Sequence, residues 1–390
     1  MAGRVRQPID VKKLERYLRE HVAEIETPLD VKQFGFGQSN PTYQLTSPSG
    51  ARYVLRKKPP GALVSKTAHK VEREYRIISA LSSTPVPVPK AYCLCEDSAV
   101  IGTPFYVMSF LDGRIIEDPA MPDARDATER NALWRAAVET LAHLHSVDAD
   151  AVGLSNFGKK SGFYARQLRT WHTICAAQAA TKDIETGVAV GAIPHFDQLL
   201  AFFGDEARRP RDRGTLIHGD YKIDNLVFHP TEPRVIGILD WEMSTVGHPL
   251  SDLANLMHPF YAAEMLLKSP PKSSAQTDEN RTSSTASHPG FLPNVTPGLP
   301  SPTQIMSWYG GIAGWDPAPD MTWAVSFSVF RLSAICQGIA ARFATRQASS
   351  ESAKKHAEAM GPLGEFAWEL VCRKQGQKTA GEEQPHRSRL

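Results

Sequence analysis

Residues 218–225, with the sequence HGDYKIDN, carry the side chains of this chain that are best suited to chemistry. Asp240 follows fifteen residues after Asn225. In-line phosphoryl transfer needs a group that orients or deprotonates an acceptor hydroxyl, and divalent ions that neutralise the phosphate oxygens. Asp220 suits the first task. Asn225 and Asp240 suit the second, because Mg²⁺ prefers hard oxygen ligands. The spacing therefore predicts a phosphoryl transfer in which Asp220 acts on the acceptor.

A purely structural interpretation is that Asp220 and Asn225 cap turns and that Asp240 ends a buried strand. The sequence between them favours the catalytic interpretation. Short apolar segments at 226–228 and 235–239 are joined by a turn that holds two prolines, which is typical of a β-hairpin. Such a hairpin brings Asn225 and Asp240 to one side, where both side chains can serve the same cation.

The elements that position these residues begin with a small lobe of strands before residue 112. Apolar residues at helical spacing predict an amphipathic helix over 9–22, ahead of the strands. We expect about five strands and one main helix in the lobe itself. The predicted strands are 31–36, 42–46, 52–56, 91–95 and 105–110, and the main helix is 66–81.

From residue 126 onward the pattern turns helical, with the catalytic hairpin as an interruption. The predicted helices are 132–146, 162–180, 250–267 and 323–346. Segment 268–303 is rich in Pro, Ser and Thr, which predicts a disordered insertion. The predicted division is an N-terminal helix in 1–24, a first lobe in 25–111, a second lobe in 112–374 and a flexible tail in 375–390.

Composition excludes several other classes of protein. The 44 Lys and Arg residues nearly balance the 42 Asp and Glu residues, so the net charge of +2 gives no support for nucleic-acid or membrane-surface binding. The five cysteines are scattered without metal-ligand spacing, which favours free thiols in a reducing compartment. No run of eighteen apolar residues occurs, so we expect no membrane span.

The catalytic motif resembles that of the aminoglycoside phosphotransferase and choline kinase superfamily, which has HGD and DW where protein kinases have HRD and DFG. The resemblance implies an α+β, bilobal, protein-kinase-like fold, with an antiparallel N-terminal sheet lobe and a larger, mostly helical C-terminal lobe. It also implies ATP and Mg²⁺ as cofactors, Asp220 as the catalytic base, and Asn225 and Asp240 as magnesium ligands. Lys222 either touches the transferred phosphate or is a solvated lysine.

The loop after the first strand matches the place where this superfamily covers the phosphates of ATP. Gly35 and Gly37 permit close approach of the backbone, and Ser39 and the amides of the loop, up to Asn40, can donate hydrogen bonds. The resemblance therefore makes Gly35, Gly37, Ser39 and Asn40 nucleotide-contacting residues, and the first lobe the ATP-binding lobe.

A strand with the sequence YVLRKK matches the place of the ATP-binding lysine. Its alternation puts Arg56 at that position and points Lys57 the other way. Glu74 is the expected ion-pair partner on the following helix, with Glu72 as the competitor. Residues 108–111 resemble the hinge between the lobes, and the resemblance assigns Ser109 and Leu111 to adenine binding.

One subgroup fits more closely. Residues 37–43, 53–61 and 86–89 are similar to the kinase-like domain fused to acyl-CoA dehydrogenases in animals, which implies a hydroxyacyl-CoA acceptor and a place in acyl-CoA metabolism. The terminal Ser388-Arg389-Leu390 is a conservative variant of the peroxisomal S-K-L address, so we expect the peroxisomal import receptor as a partner. Otherwise the expected location is the cytoplasm.

Two alternatives stay open at this stage. An amino alcohol or aminoglycoside-like acceptor would need a cluster of acidic side chains in the second lobe, which linear sequence does not reveal. A nucleotide-binding pseudokinase scaffold is the other, with the Arg56 replacement as its support. All three catalytic positions are filled, which favours an active kinase.

Overall fold

The computed structural model describes residues 2–35, 40–59, 70–268, 288–348 and 351–382. The chain mixes helices and strands, as the sequence predicts. The strands are β1 (Ala2–Gly3), β2 (Asp30–Phe34), β3 (Thr42–Thr46), β4 (Arg52–Lys57), β5 (Ala91–Cys95), β6 (Phe105–Ser109), β7 (Arg114–Ile115), β8 (Thr215–Ile217), β9 (Leu226–Phe228), β10 (Val235–Ile238) and β11 (Thr245–Gly247). The helices are α1 (Val11–His21), α2 (Val71–Leu81), α3 (Ser98–Ile101), α4 (Ala127–Ser146), α5 (Phe163–Ala179), α6 (Phe196–Gly204), α7 (Leu250–Leu256), α8 (His258–Lys268), α9 (Pro302–Ala313), α10 (Ala318–Ala344) and α11 (Glu351–Glu382).

The chain divides into two compact units that are not contiguous in sequence. The sheet unit comprises residues 1–118, 132–157 and 218–245, and the helical unit comprises 119–131, 158–217 and 246–390. This division differs from the predicted boundary after residue 111. Residues 218–245 are hydrogen-bonded to β4 through Arg56 and to α4 through Ala137, and they belong to the sheet unit rather than to a separate second lobe.

An antiparallel sheet with the strand order β1-β2-β3-β4-β6-β5 forms the centre of the sheet unit. One face of this sheet is covered by α1, whose Leu14 and Leu18 are fully buried against a cluster that includes Tyr43 and Leu55. The side chain of Asp10 accepts a hydrogen bond from the amide of Lys13 and caps the N-terminus of α1. The predicted amphipathic helix is therefore confirmed, with each end shorter than expected.

A second sheet, β10-β9-β7, holds the predicted catalytic hairpin. In this hairpin Val235 lies opposite Phe228 and Ile238 lies opposite Leu226. An added Cβ at Gly113 would lie 2.4 Å from the carbonyl oxygen of Phe228, so a glycine is required where the chain approaches β9. The hairpin is confirmed, whereas β7 was not predicted.

The helical unit contains helices that sequence reasoning missed or merged. The single helix predicted over 250–267 is two helices, α7 and α8, and α6, α9 and α11 were not predicted. In the described part of the chain one helix, α10, is long and apolar enough to cross a membrane. However, 56% of its most apolar window is buried. Because α10 packs on α5, α7 and α11, we interpret it as a core helix.

Two predictions of disorder need correction. The disorder predicted over 268–303 is wrong where residues Pro289–Phe291 form a 3₁₀ helix and where α9 starts at Pro302, while residues 269–287 lie outside the described residues. Arg130 also donates a 2.6 Å hydrogen bond to the carbonyl oxygen of Pro297, which fixes this stretch within the helical unit. The flexible tail predicted over 375–390 is likewise wrong up to Glu382, where α11 ends, and residues 383–390 lie outside the described residues.

Candidate active site

The catalytic motif begins with a turn that only glycine can make. Gly219 has φ +88°, in the left-handed region, and an added Cβ would lie 2.5 Å from the carbonyl oxygen of Met243. Both the backbone conformation and the lack of space exclude a side chain at this position. The turn places His218 and Asp220 on either side of Gly219.

His218 is a fully buried brace of this turn. Its Nε2 donates to the carbonyl oxygen of Leu239, at 2.8 Å, and its Nδ1 accepts from the amide of Asp220, at 3.2 Å. A carbonyl oxygen only accepts and an amide only donates, so the ring is the neutral Nε2–H tautomer. The centroids of the His218 and Trp241 rings are 4.9 Å apart, in an edge-to-face arrangement. His218 therefore joins the catalytic turn to the strand end that carries Asp240.

Asp220 presents a carboxylate that is 40% exposed. The side-chain amide of Asn225 donates to its Oδ2 at 3.2 Å and to its backbone oxygen at 2.8 Å. The backbone oxygen of Asn225 in turn accepts from the amide of Leu239, at 2.8 Å. These bonds hold Asp220 in one orientation while leaving it accessible, as a base that receives a proton from an acceptor must be.

Lys222 lies close to Asp220 because a second carboxylate holds it there. Its Nζ is 3.0 Å from Oδ2 of Asp224 and 3.8 Å from Oδ2 of Asp220. Burial alone would lower the pKa of Lys222, but the charges of Asp220 and Asp224 outweigh burial and raise it. Sequence reasoning missed Asp224. Its position two residues after a lysine was the available signal, and was insufficient without the conformation of the loop.

Asp240 follows β10 and precedes a 3₁₀ helix, Trp241–Met243. Its φ of +63° lies in the left-handed region, which aspartate tolerates better than most residues. Oδ1 of Asp240 accepts a 2.7 Å hydrogen bond from Nη2 of Arg56 on β4. Two residues that are 184 positions apart in the chain are thus in direct contact.

Arg56 also forms the predicted ion pair with α2. Its Nε lies 3.2 Å from Oε2 of Glu74, and its Nη2 lies 3.7 Å from Oε2 of Glu242. Burial opposes the charge on Arg56, but Glu74 and Asp240 raise its pKa overall. The competitor, Glu72, pairs with Lys58 instead. Arg56, at the position that the family resemblance assigned to the ATP-binding lysine, therefore bridges α2 and the catalytic segment.

Lys57 lies on the opposite face of β4 from Arg56. Its side chain is buried, and burial lowers its pKa. Neighbouring positions of a strand point to opposite faces, so the register that the sequence predicts is the one that the structure shows.

Glu74 is one of the most buried charged groups in the described part of the chain, with 1% of its surface exposed. Oε1 accepts from the side-chain amide of Asn40 at 2.9 Å, and Oε2 accepts from the hydroxyl of Tyr106 at 3.0 Å. Burial raises the pKa of Glu74 to about 7, against the lowering influence of Arg56. Tyr106 was not among the predicted site residues.

The predicted nucleotide loop is only partly described. Gly37 and Ser39 lie outside the described residues. Gly35 ends the described segment before the loop, and no described atom lies within 4 Å of a Cβ added there. The side chain of Asn40, on the other side of the loop, is fully buried against Glu74. The structure therefore places this side chain in the interior of the sheet unit rather than on an exposed surface.

The predicted adenine-binding residues occupy the end of β6 and the segment after it. The amide of Ser109 donates to the carbonyl oxygen of Lys90 at 2.8 Å, and its hydroxyl accepts from the amide of Lys90 at 3.0 Å. Both groups of Ser109 are thus engaged within the sheet. Leu111 packs against Gly237, where an added Cβ would lie only 2.0 Å from Cδ1 of Leu111.

A magnesium ion would be held here by few protein ligands. Among the described residues, no group of three or more His, Cys, Asp or Glu side chains forms a metal site. Mg²⁺ keeps several waters and is commonly bound through one or two carboxylates plus substrate phosphates. The carboxylate of Asp240 fits that requirement. The amide nitrogen of Asn225 is committed to Asp220, so its Oδ1 is the atom suited to a cation.

Comparison with known proteins points to one family. The family model for the phosphotransferase enzyme family matches residues 30–267. Acyl-CoA dehydrogenase family member 11 of Rattus norvegicus is 39% identical over 369 residues, which are 93% of this chain and 43% of that protein. Family member 10 of Mus musculus is 36% identical over 361 residues, 92% of this chain and 31% of that protein. The chain therefore spans less than half the length of these relatives.

Solved structures show the same fold. A crystal structure from Ralstonia eutropha, assigned to the aminoglycoside phosphotransferases, has a TM-score of 0.75 at 34% identity and covers 94% of this chain and 99% of its own. ADP-bound aminoglycoside phosphotransferase APH(2'')-Ib has a TM-score of 0.56 at 13% identity, with coverage of 92% of this chain and 99% of its own. At that identity the likeness shows the fold alone.

Proposed function

Because the chain belongs to the phosphotransferase enzyme family, we propose that it transfers the γ-phosphate of ATP to a hydroxyl group of a small molecule. The observation that carries this proposal is the linked set of contacts in the sheet unit. Asn225 fixes Asp220, and Arg56 joins Asp240 to Glu74. The charged groups that phosphoryl transfer requires are thus held in one unit and pre-oriented.

In the proposed reaction Asp220 accepts the proton of the acceptor hydroxyl. The acceptor oxygen forms a bond to the γ-phosphorus, and the bond to the β–γ bridging oxygen breaks with its electron pair leaving on ADP. Lys222, held near Asp220 by Asp224, supplies a positive charge beside the group being transferred. Arg56 supplies a second, permanent positive charge at Asp240.

We further propose Mg²⁺ as the cofactor, held by Asp240 and by Oδ1 of Asn225. When bound, the ion neutralises charge on the phosphate oxygens. Both side chains have the hard oxygen atoms that Mg²⁺ prefers. Asn225 immediately precedes β9 and Asp240 follows β10, so both residues lie at the open end of the β9–β10 hairpin, where a single ion can reach them.

The proposal is tested by replacing the base. The Asp220→Ala variant should lose ATP-dependent transfer by a factor of about 10²–10⁴, because the acceptor loses its general base. The melting temperature should stay close to that of the wild type, since the side chain is partly exposed. Phosphate transfer is measured with ATP against a panel of hydroxyl compounds. Glu232→Ala, an exposed carboxylate paired with Arg234 in the turn between β9 and β10, is the matched control.

Full activity of the Asp220→Ala variant would exclude the mechanism. Transfer by neither the variant nor the wild type, across a broad panel and with ATP binding intact, would instead favour a nucleotide-binding scaffold.

For the acceptor we propose a hydroxyacyl-CoA. The support is the similarity to acyl-CoA dehydrogenase family members 10 and 11, whose lengths exceed that of this chain more than twofold. The second candidate is an amino alcohol or aminoglycoside-like compound, which the 34% identity to the Ralstonia eutropha structure favours. The two candidates are distinguished by comparing kcat/KM for a series of hydroxyacyl-CoAs with that for amino alcohols and aminoglycosides.

A further inference from the structure

The carboxylate of Glu74 is held by residues that no catalytic role yet explains. We propose that Asn40 and Tyr106 are positioning residues that fix the Glu74 carboxylate so that Arg56 presents Nη2 to Asp240. The inference rests on the proposed function, because it concerns the nucleotide site of the same kinase. It assigns a task to two buried side chains that contact different oxygens of Glu74, one of them at the end of the predicted phosphate loop.

The ion pair alone does not fix the guanidinium of Arg56. Nε of Arg56 is 3.2 Å from Oε2 of Glu74, yet it is buried without a hydrogen-bond partner among the described residues. The contact is therefore electrostatic but poorly aligned, and poorly aligned pairs do not impose an orientation. The orientation of the carboxylate must come from its other partners.

The other partners of the Glu74 carboxylate are Asn40 and Tyr106, and each donates a well-formed hydrogen bond to it. The amide of Asn40 donates to Oε1 at 2.9 Å and the hydroxyl of Tyr106 donates to Oε2 at 3.0 Å, one bond to each oxygen. A carboxylate that accepts at both oxygens can neither rotate nor tilt without losing a bond in a buried site, where an unmade bond is costly. Asn40 and Tyr106 therefore define where Glu74 holds Arg56.

The position of Arg56 is sensitive because three carboxylates compete for it. Nη2 is 2.7 Å from Asp240 and 3.7 Å from Glu242, while Nε faces Glu74. If Glu74 shifts, its attraction for the Arg56 guanidinium changes relative to those of Asp240 and Glu242, and the guanidinium moves accordingly. Asp240 is also the proposed magnesium ligand, so a displaced Arg56 changes the charge that the metal–nucleotide complex encounters.

Removal of the single hydroxyl of Tyr106 tests the inference. We expect Tyr106→Phe to weaken Mg–ADP binding roughly tenfold, because it deletes a hydrogen bond to a charged group while keeping the ring. Tyr43→Phe is the matched control. Tyr43 is also fully buried in the sheet unit, and its hydroxyl donates to the carbonyl oxygen of Gln7 at 2.8 Å, away from Glu74. We expect the control to lower the melting temperature to a similar extent and to leave the dissociation constant of ADP unchanged.

A double-mutant cycle separates positioning from general destabilisation. If Tyr106 acts through Glu74, Tyr106→Phe should have no further effect on ADP affinity in a Glu74→Gln background. Asn40→Leu, which removes the other donor at similar volume, should also weaken ADP binding roughly tenfold in the wild type and have no effect in that background. Binding is measured by calorimetry, so no acceptor substrate is needed.

Equal affinities of Tyr106→Phe and Tyr43→Phe for Mg–ADP would overturn the inference. An effect of Tyr106→Phe on Mg–ADP affinity that is as large in the Glu74→Gln background as in the wild type would also overturn it. A wild-type protein that binds no ADP would overturn the proposed function itself, and the inference with it. Wild-type binding with an unaffected Tyr106→Phe variant would leave the proposed function standing and remove only the inference.

Discussion

Asp240 is a residue whose conformation, charge and contacts all bear on one task. A non-glycine residue at φ +63° costs on the order of 1 kcal/mol or more, which the buried strand before it and Trp241 after it must offset. The same residue accepts a charged hydrogen bond from Arg56. A side chain held in this way is presented in a single direction, as a metal ligand has to be.

The first prediction at this scale concerns the charge of Asp240. Asparagine also tolerates the left-handed region, so Asp240→Asn should keep the backbone conformation and lose only the negative charge. We expect the gain in ADP affinity that Mg²⁺ gives the wild type to fall at least about tenfold in the variant. The measurement is ADP titration with and without Mg²⁺. Asp30→Asn, at an exposed carboxylate paired with Lys32, is the control.

An equal Mg²⁺ effect in Asp240→Asn and in the wild type would show that the metal ligand lies elsewhere. Loss of metal-free ADP binding as well would show that Arg56 needs Asp240 for its own position.

At the residue scale, the sequence alone predicts the placement of a side chain well where that placement depends on spacing within one strand or loop. The placement of Arg56 and Lys57 on opposite faces followed from the alternation of a strand, whereas the pairing of Arg56 with Glu74 was expected from the family resemblance. The buried bond between Asn40 and Glu74 was not predicted, since these residues are 34 positions apart and one follows a glycine-rich loop. Such a contact depends on how the tertiary fold places Asn40 beside α2, which local pattern does not encode.

At the scale of elements, short strands bounded by turn residues were predicted best. The bounds of β3, β5 and β9 agree with the sequence pattern, because alternation and neighbouring breakers mark both ends. The longest missed helix, α11, contains Pro362 and has glycines beside it, residues that lower helix propensity and conceal the pattern. Packing of α11 against α10 overrides that local preference.

The start of α9 was concealed by composition. Ser301 caps this helix by accepting a hydrogen bond from the amide of Gln304, and Pro302 occupies its first turn. Serine followed by proline is a good helix start, but the same residues in a Pro-, Ser- and Thr-rich segment also indicate disorder. The structure shows that the helix start was the correct interpretation for residues 302 onward.

The prediction at the element scale concerns α8 and acidic pH. Burial, with the nearby His288 and Arg331, lowers the pKa of His258 at the start of α8 to about 4, below its ordinary 6.5. Between these values the unfolded chain binds a proton that the folded chain does not, so the free energy of unfolding falls as pH decreases from 6.5 to 4. The contribution of His258 is on the order of 3 kcal/mol.

In the His258→Gln variant position 258 does not titrate, so the free energy of unfolding should fall less between pH 6.5 and pH 4 than it does in the wild type. The test compares chemical denaturation of the two proteins at several pH values between 4 and 7. Parallel stability curves over this range would show that His258 is not responsible. His229→Gln, in the turn between β9 and β10, is a control from the sheet unit.

At the scale of the whole molecule, each compact unit consists of segments that are not contiguous in the sequence, so a linear division of the chain does not reproduce the units. Sequence reasoning placed the boundary between the two lobes after residue 111, whereas the structure assigns residues 132–157 and 218–245 to the same unit as the N-terminal sheet. The reason is visible in single contacts. The hydroxyl of Tyr221 donates to the carbonyl oxygen of Ala137, and Arg73 of α2 donates to the carbonyl oxygen of Ser244. These bonds join segments that are far apart in sequence.

The last prediction concerns where the whole molecule resides. Ser388-Arg389-Leu390 lies outside the described residues, so the peroxisomal location that we propose rests on its chemistry alone: a small residue, a cation and a leucine, as in the S-K-L address. With an N-terminal fluorescent tag, we expect punctate signal that coincides with a peroxisomal marker. Arg389→Lys should keep the pattern, because the cation is retained, whereas Arg389→Glu should disperse it. A diffuse wild-type signal, or puncta that survive Arg389→Glu, would refute the tripeptide as an address. The acceptor assignment is unaffected by either result, because substrate recognition is measured on the purified chain.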